Sequence, residues 1–119
     1  MSGLVIATAL LQKTESILRQ DGVSLGELDL SVEGFYRNVV TFPLAVKKNR
    51  VLYINVKAGT PVDVAVANEG GFNVMLKQGV SEGRVGPIPT LDNREMSVLL
   101  GVYPGDKTKA DIEVWMERT

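Results

Sequence analysis

The side chains best suited to chemistry here are carboxylates. Glu27, Asp29 and Glu33 cluster ahead of and within one alternating apolar run, and Asp92 and Glu95 flank Asn93. A carboxylate pair can divide acid and base roles at a glycosidic bond, but only at a set separation inside an enclosing cleft. A chain of 119 residues built on a single core is too short to offer such a cleft easily. Acids that alternate along a strand instead share one solvent face, by the two-residue period. Asp92, Asn93, Glu95 and Asp106 carry the oxygen donors that a hard cation takes, yet they lack the D-x-[DN]-x-[DN]-G spacing of a calcium loop, so no metal is expected. The chain has no Cys and no His. That removes thiol nucleophiles, thiolate or imidazole metal sites, disulfides and any triad that needs an imidazole base. The glycines form neither G-x-x-x-x-G-K-[ST] nor a strand-loop-helix G-x-G-x-x-G, and G-x-S-x-G and S-x-x-K are also missing. No enzyme activity and no cofactor are expected.

Charge narrows the partners. With 13 Lys and Arg against 14 Asp and Glu, the formal net charge is −1, which gives no bulk attraction to nucleic acid or anionic lipid. Lys47, Lys48 and Arg50 beside Tyr53 form one short basic cluster, read as a solubilising hairpin tip, and no nucleic-acid partner is expected.

The elements that must position these groups follow from periodicity. Leu4, Ile6, Ala7, Leu10, Leu11, Thr14, Ile17 and Leu18 fall on one arc at 100° steps. The spacing therefore predicts an amphipathic helix over Leu4 to Gln20, with Ser2 as cap and Asp21-Gly22 as its stop. Its apolar start is too short for a membrane span and lacks the basic flank of an export signal. The compartment is left open, since a shortened N-terminus would make the domain extracellular or membrane-anchored.

From Leu28 the period changes to two. Alternating runs at Leu28–Val32, Val40–Val46, Leu52–Val56, Val62–Val66, Phe72–Leu76, Met96–Val102 and Ile112–Met116 predict seven strands. Turn formers at Lys47–Arg50, Ala58–Pro61, Asn68–Gly71 and Pro104–Lys107 suit antiparallel neighbours. The expected fold is mainly β, an antiparallel sandwich of about seven strands, immunoglobulin-like or jelly-roll-like. It would form a single domain, with the helix at 1–22 and the sandwich at 27–119. Pro43 inside a run marks an edge strand or a bulge. The Gln78 to Arg94 connection is unusually long. It reads either as an irregular edge strand around Arg84 to Ile88 that crosses between sheets or as a partner-binding loop.

Outward positions raise the functional question. Val51, Tyr53, Ala65, Ala67, Leu99, Gly101 and Tyr103 alternate with core residues yet are apolar or small, and large apolar patches are rarely left exposed. The helix arc would cover them within the chain or would pack against other copies. The residues expected at such a contact are Leu4, Leu11 and Leu18 of the helix, with Val51, Tyr53, Leu99 and Tyr103 of the sheet. Trp115 and Arg84 complete the candidates.

The stretches VLYINVKAGTPVDVAV and VLLGVYPGDKTKADIEVWM, covering Val51 to Met116, resemble accessory β-sandwich modules of the GOLD and pre-peptidase C-terminal types. The likeness is one of strands and corners, with an "AGTPV" corner between two runs; the acidic loop motif of some pre-peptidase modules is missing and a helix precedes. It implies a non-catalytic module that mediates protein or surface contacts, and it transfers no site residue. The combined expectation is a structural or protein-interaction module that forms homo-oligomers or docks to a larger assembly, such as a surface filament, pilus-like or virion subunit. The alternative is a small-molecule or glycan binder using the 78–94 segment and the open end of the sandwich.

Overall fold

The computed structural model describes residues 14–29, 35, 36 and 38–118. Its elements are β1 (Thr14–Leu25), β2 (Leu28–Asp29), β3 (Phe35–Tyr36), β4 (Val39–Ala45), β5 (Arg50–Ala67), β6 (Asn73–Pro89), β7 (Glu95–Gly101) and β8 (Thr108–Arg118). Six of them form one antiparallel sheet in the order β1-β8-β5-β7-β4, with β6 along the other edge of β5. β2 and β3 pair only with each other. No helix occurs among the described residues.

β5 organises the molecule. Its first half, Arg50 to Ala58, pairs with β8; its second, Asp63 to Ala67, pairs with β7; β6 accompanies both halves. Leu52, Ile54 and Val56 continue in phase with Val62, Val64 and Val66. All six lie in one core with Val98 and Leu100 of β7 and Ile112, Val114 and Met116 of β8. One strand can line a single core from both halves only where the sheet curls round it, and a register break lets a strand bend. That break falls between Lys57 and Val62, across Gly59 and Pro61. The expected "AGTPV" corner is thus a bend inside one strand.

Both ends of β5 return to the Thr90 to Arg94 connection. The Arg50 N–H donates to Thr90 Oγ1 at 2.8 Å, and the Arg94 N–H donates to Glu69 Oε1 at 2.6 Å. Thr90 is the one fully buried polar side chain among the described residues. Its hydroxyl lies 2.7 Å from the Lys47 carbonyl, to which it donates, while its own N–H donates to the Arg50 carbonyl. A buried hydroxyl satisfied in this way stabilises the curl, because leaving its partners unpaired would cost their desolvation. At the opposite end Gly26 (φ +81°) packs against the Asp106 carbonyl so closely that a Cβ would overlap it.

Two expectations need correcting: in place of a sandwich of about seven strands the described residues form one curled six-stranded sheet and a separate two-stranded one, and the helix gives way to strand. Thr14 to Gln20 belong to β1, paired with β8 from Thr14↔Glu117 to Gln20↔Ile112; the earlier part of the expected helix lies outside the described residues. Register shifts between Ser16 and Leu18 and between Gln20 and Val23 place Ile17 and Leu18 side by side. A bulged strand can therefore carry apolar residues at helix-like spacing. Pairing also gives the β8 backbone a partner that an amphipathic helix could not supply. The Asp21-Gly22 stop sits instead at the second bulge, where the Gly22 N–H donates to Asp111 Oδ1 at 2.8 Å.

β6 brings two more changes. The Gln78 to Arg94 connection is strand as far as Pro89, longer than expected, but it stays alongside β5 in one sheet instead of crossing between sheets. Phe72, Val74 and Leu76, assigned to the interior by alternation, are exposed, while Met75 packs against the core. A register shift between Val62 and Val64, and another between Val66 and Ala67, reset the phase of β6 against β5; a one-residue slip exchanges the two faces. Pro43 does lie in an edge strand, opposite Ser97.

Candidate functional site

Because the sheet curls round one core, its outer surface has two halves, and the in-register rows across the strands define each.

The first half spans β6, β5, β8 and β1. One row reads Arg84, Asn55, Glu113, Arg19, and the next reads Glu82, Lys57, Asp111. Neighbouring charges alternate in sign, which is favourable across strands. Several are also tied down locally. Ser16 Oγ donates to Glu113 Oε2 at 2.9 Å, and Arg19 Nε lies 3.7 Å from Asp21 Oδ2. A shallow groove of about 550 Å³ runs between these rows. Beside it Tyr53 and Trp115 face each other across β5 and β8. The Arg84 guanidinium lies over both rings, 4.7 Å from the Tyr53 centroid and 5.4 Å from that of Trp115. Gly86 (φ +129°) permits this close approach of β6, since a Cβ there would meet the Leu52 carbonyl oxygen at 2.5 Å and the Tyr53 ring at 3.1 Å.

The second half spans β6, β5, β7 and β4. Its central row is Leu76, Ala65, Leu99, Thr41, flanked by Ala67, Ser97, Pro43 on one side and Asp63, Gly101, Val39 on the other. Asp63 is the one charge in these rows, and it already accepts the Gly79 N–H at 3.2 Å. Leu76 (58% exposed) and Val39 (57%) lie in these rows and Val74 (48%) beside Leu76 on β6, while Phe72 (74%) lies in the turn before β6 and Leu91 (63%) in the connection after it.

The contact face expected from sequence is therefore divided. Val51, Tyr53, Trp115 and Arg84 lie on the charged half and Leu99 on the apolar half, facing away from a shared core. Tyr103, 71% exposed, sits just beyond β7. Leu18 is half-buried, opposite Val114 and packed against the core; Leu4 and Leu11 lie outside the described residues. Alternation missed Phe72, Val74 and Leu76 because it assigned them to the interior.

The oxygen donors weighed for a cation are dispersed. Asn93 and Glu69 stitch the connection at one end, where the Glu69 N–H donates to Asn93 Oδ1, whereas Asp106 lies at the other end beside Gly26. Among the described residues no group of three or more acidic side chains is placed to hold a metal ion. In the basic cluster, Lys47 pairs with Glu15 at 3.5 Å and Arg50 donates to the Lys48 carbonyl at 3.1 Å. No helix among the described residues is long and apolar enough to cross a membrane.

No family model matches the chain, and no curated protein matches it. Among solved structures it is similar to Aeromonas hydrophila PliG, described as a periplasmic lysozyme inhibitor of g-type lysozyme. The TM-score is 0.56 over 88% of this chain and 87% of that one, at 11% identity. At that identity the likeness concerns the fold.

Proposed function

We propose that this chain is a non-catalytic protein-interaction module that self-associates through the apolar half of its outer surface. The observation that carries this reading is the exposed Phe72, Val74 and Leu76 beside Ala65 and Leu99. Leaving such side chains in water forgoes about 25 cal/mol for each Å² that a partner would cover. A second copy suits the face better than a charged foreign surface. Its rows hold a single carboxylate, already hydrogen-bonded, so charge has little to select there, and an apolar patch that meets itself across a two-fold axis is complementary by symmetry. PliG is described as an inhibitor of a lysozyme, a role exercised on another protein, and the resemblance to accessory β-sandwich modules points toward contact as well.

Size sets the strength. Four strands about 4.8 Å apart and five residues deep present roughly 300 Å², well below the ~800 Å² per partner of a typical stable interface. The contact therefore gives a dimer that forms and dissociates with concentration. Sedimentation velocity of the intact chain from micromolar to millimolar concentration tests it: a rising weight-average coefficient supports the reading, and an unchanging monomer refutes it.

Small-molecule or glycan binding has one supporting observation. Arg84 makes no ion pair among the described residues and borders the groove. Trp115 is the only tryptophan and lies under Arg84, so its emission should report a ligand there directly. The self-association reading expects no shift with neutral or acidic oligosaccharides.

A further inference from the structure

We infer that the apolar half of each copy is covered by the segment Leu4 to Leu11 of a second copy, the two segments being exchanged across a two-fold axis. This rests on the self-association reading and names the part of the partner that fills the contact. Residues 1–13, which precede β1, lie outside the described residues. β1 starts at Thr14 opposite Glu117 and runs to Leu25 opposite Thr108. Its start lies beside the turn that follows β4, since Glu15 pairs with Lys47 at 3.5 Å. The apolar half ends there as well. β4 passes from Pro43 through Ala45 toward Lys47, the Asn49 N–H donates to the Leu91 carbonyl at 2.8 Å, and Glu69 accepts the Arg94 N–H. The exposed Phe72 and Leu91 sit at this end. The segment therefore joins the sheet at the border of the exposed apolar half.

In character the segment matches the face. Leu4 to Leu11 reads LVIATALL and carries no charge, and the rows it would cover hold Asp63 as their one charge, already hydrogen-bonded to Gly79. Such a contact buries apolar surface without stranding an ion. Reach is sufficient: eight residues run about 12 Å as a helix or about 26 Å as a strand, against about 15 Å across four strands. Direction favours exchange over cover within one copy. The chain enters β1 from beyond the Lys47 end, so lying on its own apolar half requires a reversal next to Thr14. Leu4 to Lys13 contains no Gly, Pro, Asn, Asp or Ser to make that turn. Continued outward, the segment reaches a second copy, whose own segment returns the contact by symmetry. The exchange also adds apolar area to a face that alone falls short of the ~800 Å² per partner of a stable interface.

The chain contains no cysteine, so single cysteines report the contact. Ala9→Cys marks the segment and Leu76→Cys the exposed face, with circular dichroism as the control that both variants fold. Treated with a short bismaleimide linker, an equimolar mixture of the two is expected to give mixed dimer at least about tenfold faster than either variant alone links to itself, because groups held in one complex react at ~mM effective concentration. In the full-length chain, Leu10→Asp combined with Leu11→Asp should weaken dimerisation roughly tenfold or more by sedimentation velocity, as loss of buried contact residues does. Equal cross-linking in all three samples, with the Asp variant dimerising like the intact chain, overturns the exchange and leaves self-association to a face-to-face contact. If a chain bearing both cysteines links only within itself and the intact chain sediments as a monomer, the segment covers its own copy and both readings fall. Absence of any link beside a monomeric intact chain also removes both, and leaves the face to a foreign protein.

Discussion

The two outer halves of this molecule are built on the same strand and differ in almost every other respect. Along the first half of β5 the outward positions hold Tyr53, Asn55 and Lys57, met by Trp115, Glu113 and Asp111 of β8. Along the second half they hold Asp63, Ala65 and Ala67, met by Gly101, Leu99 and Ser97 of β7. The first half compensates its own charges and covers its aromatic rings with Arg84, so water is an adequate partner for it. The second half leaves Phe72, Val74 and Leu76 exposed and has one carboxylate in its rows. The difference teaches that outward apolar residues are not equivalent: Tyr53 and Trp115 are accounted for within the chain, and Leu76 is not.

Five changes would break or sharpen this comparison. The largest effect is expected from Leu76→Glu, which places a charge in the apolar row and should weaken self-association by roughly hundredfold, the size of a central interface residue. Arg84→Glu on the other half should leave the sedimentation profile of the intact chain unchanged. Next is Thr90→Val, which keeps shape but strips the buried hydroxyl from Lys47 and Arg50. It should cost about 1–3 kcal/mol in urea unfolding. Because Thr90 secures a strand common to both halves, the halves should unfold together in a single transition. A smaller effect is expected from the Arg84 shelf, where a double-mutant cycle of Arg84→Ala and Trp115→Ala should give a coupling of about 0.5–1 kcal/mol. Smallest is the salt response: raising salt from 50 to 500 mM should change the dimer constant by less than about threefold, since screening acts on charges that the apolar rows scarcely contain.

Much of the interior was legible in the sequence. Leu52, Ile54, Val56, Val62, Val64 and Val66 keep one phase because the break in β5 between Lys57 and Val62 leaves Val56 and Val62 an even number of residues apart, and Ile112, Val114 and Met116 keep one phase as well. The failures lie where the register shifts. Bulges in β1 gave Ile17 and Leu18 the spacing of a helix face, and slips opposite β5 turned Phe72, Val74 and Leu76 outward. A bulge is a property of pairing between distant segments, and alternation within one segment carries little trace of it. For the same reason the expected face of Val51, Tyr53, Leu99 and Tyr103 was divided. Its members share a period, but β5 bends between them.

The central claim is that the apolar half meets another copy and the charged half does not. Hydroxyl-radical footprinting of the intact chain at low and high concentration addresses both halves in one experiment. The account predicts that oxidation of Phe72 and Leu76 falls as concentration rises, while that of Tyr53 and Trp115 stays constant. Protection of Tyr53 and Trp115 with Phe72 and Leu76 unchanged, or no protection at either half, would contradict it.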